Sequence, residues 1–597
     1  MSYLNNTDER GSSPNQLVLF MALAMGGFAL YTAFFAPKPE PAATEVAEVQ
    51  EQLPSGDATA APGSPATELE ATNATVEEPF RIRNFDENEG GVTFYVTNVG
   101  GRVASAQIDA PEQYVTYPGE REILPAALAC DEGGVCRTGD ALQGVDLPLA
   151  LTLEGVDALS ETSVWEVDED ESKCHTVDGI HDCSLLVMNW NSPDGTLGLT
   201  RTYFADKTSS YGLSTTLRIR NNQAQSRTIE DIGLKVYGSW STPKGGILNQ
   251  VDGQIEGMCG ADGRFRDRNA KKLDEVRGYD TKISFVGINE RYFVSALLPR
   301  TEDGAGAQYA ERCTMRQAPR SPDGVLESTI FTGVTTIAPN SEIVLAHSYV
   351  AAPKRMEYLK AYDTDLQKSV KFGMFAFLAY GIRWLLVFFY GLVGNWGVAI
   401  LLLTFAIKVA LLPVTSKSFR SMEKMKEVQP KIEELKKKYE NDQQKLAEAQ
   451  MRLFKEEGVN PLSGCLPLLL QMPIYFALYR TIFSSAELYH APFLGWITDL
   501  SQADPYFVIP ALTSALMLLQ VRLAPQASNA NPQMKMMQWL MPIMFIPVTL
   551  FLPAGLVLYI FANILLSMLQ QLYIRRNVSQ SPSTALSKSG TGAANKR

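Results

Sequence analysis

The stretch LLLTFAIKVALLP at residues 401–413 is apolar except for Thr404 and Lys408. A charged side chain near the centre of a bilayer costs roughly 2.5–3.5 kcal/mol, so a lysine here must reach water or serve a purpose. Lys408 lies four residues from the end of the predicted membrane span 392–412. That depth is about 6 Å at a rise of 1.5 Å per residue, within the reach of a snorkelling lysine. Thr404 lies one turn deeper on the same helical face, which favours a hydrated cavity over a snorkelling anchor.

Other runs long enough to cross a bilayer recur along the chain. One lies near the N-terminus, at 17–36, and could be a cleaved signal peptide. Its long apolar run and poor cleavage site favour an uncleaved anchor. We therefore predict an α-helical polytopic membrane protein with an N-terminal anchor and a five-helix core. The core spans are predicted at 392–412, 464–483, 506–524, 537–552 and 555–573.

The placement of lysine and arginine predicts the orientation of these spans. The loop 413–463 carries eleven of these residues and the tail 574–597 carries five, whereas the loop 484–505 carries none. The cation-rich segments should lie in the cytoplasm, and residues 37 to about 370 should lie outside. The cytoplasmic segments are then 1–16, 413–463, 525–536 and 574–597, and the predicted outer loop is 484–505.

The apolar run 372–393 complicates this topology, because it is long enough to span and carries Arg383 in its middle. If it crossed the membrane together with 396–412, the cation-rich loop would move to the outer face, against the positive-inside bias. We therefore predict that 356–391 contains a connecting segment and an amphipathic helix at the outer interface. Gly394 and Asn395 would turn the chain into the true span.

The region outside the membrane reads as a tethered β domain. Residues 37–79 are rich in Pro, Ala, Thr and Glu and poor in aromatic residues, which predicts a disordered linker. From 80 to 355, short β-type runs such as VTFYVTN at 92–98 and EIVLAHSYV at 342–350 alternate with turn signals. This pattern predicts a large all-β sandwich.

Six of the seven cysteines lie in this β region, an even number that suits an oxidising compartment. Cys174, His175, His181 and Cys183 offer four metal-ligating groups, but they crowd around a turn signal at Asp178-Gly179. A disulfide across a hairpin is the simpler interpretation, so we predict no metal site. The candidate pairs are Cys174 with Cys183, Cys130 with Cys136, and Cys259 with Cys313.

The cytoplasmic loop 413–463 has the pattern of two amphipathic helices folded back on each other. Pro430 is expected to interrupt the first helix or to start it. The charged faces are either a solvated surface or a contact site for a ribosome, nascent chain or targeting factor. The expected contact residues are Met422, Met425, Gln429, Pro430, Ile432 and Leu435.

Uncharged polar side chains also occur on the other predicted spans. Asn563, Ser567 and Gln570 follow one another at i, i+4 and i+7, which forms a single stripe. Polar groups facing lipid would be unsatisfied, so we expect such residues to line one water-accessible cavity. The spans contain no acidic or histidine relay, and the chain has no metalloprotease or nucleotide-binding motif. The predicted lining is Lys408, Thr404, Gln471, Gln520, Tyr559, Asn563 and Ser567.

Three long stretches of the membrane region resemble the YidC family of membrane protein insertases. They lie at 394–479, beginning GNWGVAILLLTFAIKVALLP, at 487–510 (ELYHAPFLGWITDLSQADPYFVIP) and at 552–571 (LPAGLVLYIFANILLSMLQQ). The stretch SFVGINERYFVSALLP at 284–299 is similar to the long Gram-negative form of the family. The resemblance implies a five-helix core, an N-terminal anchor, an outer β-sandwich and a hydrophilic groove open to the cytoplasm and lipid. The groove cation of the family, usually arginine, corresponds to Lys408, and a family aromatic position is Ile560 here.

The resemblance implies an insertase and chaperone of the bacterial inner membrane, not an enzyme, with the large domain in the periplasm. No cofactor and no direct nucleic-acid binding are expected. The expected partners are nascent membrane proteins, the Sec translocon, the ribosome or signal recognition particle pathway, and membrane lipid. The alternative is a solute or ion transporter that uses the same cavity, which would be expected to carry paired ionisable groups and internal repeats. A purely structural scaffold would make Lys408 dispensable.

Overall fold

The computed structural model describes a β domain and the helical regions that follow it, with gaps. The described residues are 80–86, 90–110, 122–124, 147–177, 180–239, 255–269, 273, 276–301, 309–317, 325–440, 442–458, 466–523 and 532–579. The predicted segments 1–16, 17–36 and 37–79, Cys130 and Cys136 lie outside them, as do most of 525–536 and the tail beyond 579. The chain divides into two compact units. Val428–Asn460 belongs to one, and Asn73–Glu427 with Pro461–Arg597 forms the other.

The first part of the described chain consists of strands. They are β1 Phe80–Asp86, β2 Gly90–Thr97, β3 Arg102–Ala110, β4 Glu122–Leu124, β5 Ala150–Leu153, β6 Glu166–Val167, β7 Lys173–Val177, β8 Ile180–Asn191, β9 Leu197–Ala205, β10 Gly212–Asn221, β11 Arg227–Ile229, β12 Ile232–Ser239, β13 Glu256–Ala261, β14 Arg264–Asn269, β15 Arg277–Asn289, β16 Phe293–Arg300, β17 Ala310–Gln317, β18 Val325–Phe331, β19 Thr335–Ile337 and β20 Glu342–Pro353.

These strands form a large, mainly antiparallel domain. A continuous path of pairings runs β4-β3-β2-β1-β8-β9-β10-β20-β16-β15-β17-β18-β12-β5, in which only β1 and β8 are parallel. Strand β9 illustrates the alternation expected of a strand with one face in the core. Its buried residues are Leu197, Leu199, Arg201 and Tyr203, and the residues between them are half-buried. This alternation places every second side chain in the core between sheets.

Helices follow the β domain. They are α1 Met356–Lys360, α2 Ala376–Val393, α3 Trp396–Lys438, α4 Gln443–Glu456, α5 Leu466–Ser484, α6 Val508–Leu523, α7 Pro532–Phe551 and α8 Ala554–Ser579, with single 3₁₀ turns at Asp365–Ser369, Gly373–Phe375 and Ala486–Leu488. Among the described residues, Gly373–Val393, Trp396–Ser421 and Ala554–Ile574 are long and apolar enough to cross a membrane, and Val508–Arg522 is a shorter apolar helix.

The helices of the membrane region carry large apolar side chains on their outsides. Phe405, Val409 and Leu412 on α3 and Leu469, Met472 and Phe476 on α5 are all more than a third exposed. Such stripes would be unstable in water and suit hydrocarbon. An all-β domain joined to lipid-facing helices confirms the fold class predicted from the sequence.

The break between α2 and α3 is built by two adjacent residues. Gly394 adopts a left-handed conformation, with φ of 65°, and its amide donates to the carbonyl of Tyr390. Asn395 then caps the next helix, because its Oδ1 accepts a hydrogen bond of 3.0 Å from the amide of Val398. The two helices are therefore separate elements joined by a tight turn.

One expectation about the proline residues was wrong. Pro430 was expected to interrupt or begin a helix, but α3 runs without a break from Trp396 to Lys438 and includes both Pro413 and Pro430. A proline removes one hydrogen bond from the helical ladder. In a helix of 43 residues, the bonds on either side of it hold the backbone in place.

The unit Val428–Asn460 holds two antiparallel helical segments. Asp442 caps α4 through a hydrogen bond of 3.1 Å from the amide of Lys445, and Lys431 forms an ion pair with Glu457 across the pair. Ile432 is buried, Gln429 and Leu435 are half-buried and Pro430 is exposed. Met425, which precedes this unit, is half-buried, and the side chain of Met422 lies outside the described residues.

Among the described residues of the β domain, four cysteines form two disulfide bonds. Cys174 and Cys183 are joined across the β7–β8 hairpin, where they are direct register partners. Cys259 on β13 is joined to Cys313 on β17, and both residues are fully buried. Strand β15 pairs with both of these strands. The pair Cys259–Cys313 closes the longer loop: its cysteines are 54 residues apart in the sequence, whereas Cys174 and Cys183 are 9 residues apart.

We expect the two disulfides to differ in their contribution to stability. Replacing Cys259 and Cys313 together by alanine should lower the free energy of unfolding of the β domain by about 4 kcal/mol, and the same change at Cys174 and Cys183 by about 3 kcal/mol, because the longer loop restricts the unfolded chain more. Urea unfolding of the purified full chain in detergent, followed by pulse proteolysis, measures both. An equal or larger effect at the short hairpin would contradict the loop-entropy explanation.

Candidate functional site

The stripe of polar residues on α8 faces the helices α3 and α5. Lys408 Nζ on α3 donates a hydrogen bond of 2.6 Å to Ser567 Oγ, and that hydroxyl donates in turn to the carbonyl of Asn563 at 2.7 Å. A serine hydroxyl can accept and donate at once, so the lysine is bound without a counter-charge. Among the described residues, no carboxylate forms an ion pair with Lys408.

Helix α5 completes the arrangement from the other side. Asn563 Nδ2 donates to the hydroxyl of Tyr475 at 2.7 Å, and Gln471 Nε2 donates to the hydroxyl of Tyr559 at 2.6 Å. The rings of Tyr475 and Tyr559 meet edge to face, with centroids 5.5 Å apart. We call the set of residues that links the three helices the polar seam. It consists of Lys408, Gln471, Tyr475, Tyr559, Asn563 and Ser567.

The polar contacts continue past the seam toward the C-terminal end of α8. Gln570 Nε2 donates to Thr415 Oγ1 at 2.8 Å and to Ser416 Oγ at 3.1 Å, both on α3. Tyr475, Thr415 and Ser416 were absent from the predicted lining. Tyr475 could have been found from the sequence, since it lies four residues after Gln471 and therefore on the same helical face.

Two predicted lining residues are placed differently. Thr404 is fully buried, and its hydroxyl donates to the carbonyl of Ile400 in its own helix at 2.7 Å. Its proton is therefore not available to a molecule in a groove. Gln520 is half-buried on α6, and no hydrogen bond among the described residues connects it with the polar seam. Both residues are polar like those of the polar seam, but neither side chain is hydrogen-bonded to a seam residue among the described residues.

A second polar cluster surrounds Arg383 on α2. Its guanidinium binds Glu487 with two nitrogen atoms, Nε at 3.1 Å and a shorter contact from Nη2, and Nη2 lies 3.3 Å from both carboxylate oxygens of Glu357. The side chain of Glu487 is 5% exposed and that of Arg383 14%. Burial raises the pKa of Glu357, but its own backbone hydrogen bond and the charge of Arg383 outweigh this and hold the pKa below the ordinary value.

Contacts near both ends of α2 connect it with α5 and with the segment that follows α5. Thr481 Oγ1, near the end of α5, donates to the carbonyl of Ala477 in its own helix at 2.8 Å and lies 3.4 Å from the carbonyl of Ala379 on α2. Beyond the other end of α2, Asn395 Nδ2 donates to the carbonyl of Phe493 at 3.0 Å. One face of α2 therefore packs on α5, and the residue that follows the turn after α2 contacts the segment between α5 and α6.

Two protein families match adjacent parts of this chain. The family described as "60Kd inner membrane protein" matches residues 388–581, and the family described as "YidC periplasmic domain" matches residues 147–385. The membrane protein insertase YidC of Haemophilus ducreyi is 34% identical over 383 residues, which cover 63% of this chain and 68% of that protein. The chain belongs to the YidC family.

Other YidC proteins show the same relation. The membrane protein insertase YidC of Actinobacillus pleuropneumoniae is 35% identical over 395 residues, which cover 65% of this chain and 69% of that protein. A solved structure, described as an active YidC insertase with the first transmembrane domain resolved, is 18% identical, covers 85% of this chain and 95% of its own, and has a TM-score of 0.34. Family membership and the apolar helices together make this an inner-membrane protein with a periplasmic β domain.

Proposed function

We propose that this chain inserts nascent proteins into the inner membrane and helps them fold, alone or together with the Sec translocon. The observation that carries the proposal is Lys408, a half-buried cation in a membrane helix whose ammonium group contacts a neutral hydroxyl. A permanent counter-charge would occupy the lysine. Since no described residue supplies one, the lysine can attract acidic residues of a passing chain.

The proposed mechanism uses the polar seam as the wall of a hydrophilic groove open to the cytoplasm and lipid. The polar outer segment of a substrate enters the groove partway, so it avoids crossing the full apolar barrier. Lys408 attracts its acidic side chains, and Gln471 and Asn563 offer hydrogen bonds in exchange for those with water. No covalent bond is made or broken, and no cofactor takes part.

The apolar helix of the substrate then leaves sideways into lipid. On α5, Leu469, Met472 and Phe476 form an exposed apolar stripe next to the face that carries Gln471. Helix α7 presents Ile543 and Val548 in the same way. A hydrophobic segment can slide along these stripes, driven by about 25 cal/mol for each Å² of apolar surface that it removes from water.

We further propose that α2 lies along the outer interface of the membrane and does not cross it. Its middle residue Arg383 binds Glu357, which directly follows the β domain, and Glu487, in the predicted outer loop 484–505. A spanning helix of 18 residues would be about 27 Å long, so its middle would lie far from the outer loops. The exposed aromatic residues Phe377, Trp384 and Phe388 suit an interfacial position.

The orientation and the remaining partners follow from the same proposal. With α2 at the interface, the segments 1–16, 413–463 and 574–597 lie in the cytoplasm. The helical pair in 413–463 can then meet the ribosome, the signal recognition particle pathway or the nascent chain as each substrate arrives. The residues proposed for this contact are Met422, Met425, Gln429, Pro430, Ile432 and Leu435.

Reconstitution tests the proposed function directly. Liposomes of inner-membrane lipid containing the purified full chain should insert a short single-span protein synthesised in their presence, and empty liposomes should not. Protection of the substrate from added protease reports insertion. A substrate that stays fully accessible in both preparations would refute autonomous insertion. A second set of vesicles that also contains the Sec translocon tests the cooperative route.

A further inference from the structure

The turn between β15 and β16 contacts the outer end of the membrane helix α5. Arg291 Nε donates a hydrogen bond of 3.3 Å to the carbonyl of Phe483, and its guanidinium lies 3.9 Å from the centroid of the Phe483 ring. The carbonyl belongs to the last turn of α5, where no helical amide remains to bind it. One side chain of the β domain thus both caps this helix and stacks on it.

The turn that carries Arg291 is itself held firmly. The amide of Glu290 donates to the carbonyl of Phe293 at 3.0 Å. Lys354, 5% exposed, donates its Nζ to the carbonyl of Glu290 at 2.9 Å and its amide to the carbonyl of Tyr292 at 2.8 Å. The turn is therefore a fixed support for Arg291 and not a loose loop.

Aromatic contacts extend this support to the segment after α5. The rings of Tyr292 and Phe293 lie 4.8 Å and 5.3 Å from the ring of Tyr489. Tyr292 in the turn and Phe293 at the start of β16 therefore pack on the chain that leaves the helix, while Arg291 binds the helix itself.

A second contact reaches the same end of α5. Ser484 Oγ donates to the carbonyl of Lys371 at 3.3 Å, and Lys371 Nζ lies 2.5 Å from both Glu256 and Asp267 on β13 and β14. The last turn of α5 is thus tied to the β domain at two independent points.

The position of this end matters because α5 contains Pro473. A proline removes a backbone hydrogen bond and lets the two halves of a helix tilt. Gln471 and Tyr475 lie on either side of it, and both belong to the polar seam. Because Tyr475 lies in the outer half, the position of that half sets how its hydroxyl meets Asn563.

We propose that Arg291 is a positioning residue for insertion. It clamps the outer half of α5, beyond Pro473, and so keeps Tyr475 aligned with Asn563 on α8. The role rests on the proposed insertase function, because it assigns the periplasmic domain a part in shaping the groove. It touches no substrate.

The test combines hydrogen exchange with insertion in proteoliposomes containing the full chain. Arg291→Ala should raise amide exchange in peptides covering 474–484 about five-fold, because the loss of a cation–π contact and a hydrogen bond frees that end of the helix. The initial rate of insertion of a single-span substrate should fall by a similar factor. Arg291→Lys, which keeps a cation and a donor over the ring, should restore most of both values.

Arg264→Ala is the matched control, because Arg264 is an exposed arginine on β14 of the same domain; it should change neither value. Phe483→Leu removes the ring from the membrane side and should reproduce the exchange result even if Arg291→Ala does not fold. Unchanged exchange in α5, or faster exchange with a normal insertion rate, would overturn the positioning role. If the unmodified chain fails to insert the substrate, the proposed function fails, while the exchange data still decide whether Arg291 clamps α5.

Discussion

Replacing Lys408 by glutamate should lower insertion of a single-span substrate by more than about ten-fold, which corresponds to about 1.4 kcal/mol. Two unit charges about 4 Å apart interact by about 4 kcal/mol at an effective dielectric constant of 20, and the substitution turns that attraction into repulsion. Lys408→Arg keeps the charge and should retain most of the activity. Lys408→Ala should fall between them. The measurement is protease protection of the substrate in vesicles depleted of the native protein.

The control for this series is Lys417→Glu. Lys417 is an exposed lysine on the same helix. Its replacement changes the net charge by the same amount as Lys408→Glu does, but at a position that faces solvent. Ser567→Ala separates the hydrogen bond from the charge, because it removes the acceptor of Lys408 and leaves the cation. If Lys408→Ala inserts substrate as well as the unmodified chain does, the charge has no role in the mechanism.

Replacing Arg383 by methionine should lower the free energy of unfolding by about 3–5 kcal/mol. The reason is Glu487, whose side chain is 5% exposed and would then hold a buried carboxylate with no cation. The double variant Arg383→Met with Glu487→Gln should recover most of the loss, because it removes both charges. Thermal unfolding of the full chain in detergent measures the three proteins side by side.

An exposed pair in the same connecting region provides the comparison. Lys368 and Asp365 lie 2.8 Å apart with side chains 52% and 26% exposed, so Lys368→Met should cost less than about 1 kcal/mol. Equal losses at Arg383 and Lys368, or no recovery in the double variant, would show that burial of the Arg383 pair does not determine its contribution.

Much of the polar seam was predictable from one sequence. Asn563, Ser567 and Gln570 repeat with helical spacing, and such a stripe among apolar residues must face protein or water. Lys408, Gln471 and Tyr559 were found in the same way, as polar residues within apolar runs. Periodicity reports which face of a helix a residue occupies. It does not report which neighbouring helix that face meets, so the Lys408–Ser567 contact required the fold.

The two expectations that differ from the structure, at Thr404 and Pro430, also depend on contacts or lengths that a local pattern does not report. Thr404 shares a face with Lys408, yet its hydroxyl binds its own backbone. The choice between a local and a long-range partner depends on how closely the next helix approaches. Pro430 was expected to mark the end or start of a helix because the local cost of a proline is large, but the length of α3 outweighs that cost.

The amino-acid sequence by itself determined the membrane character, the β domain and the cation inside a span, because these depend on composition and on periods of two and 3.6 residues. Only the tertiary structure decided that Arg383 is neutralised by Glu357 and Glu487, and that Arg291 reaches the end of α5. Those contacts join residues between 26 and 192 positions apart in the chain. No local pattern encodes such distances, since they arise when separately formed elements pack together.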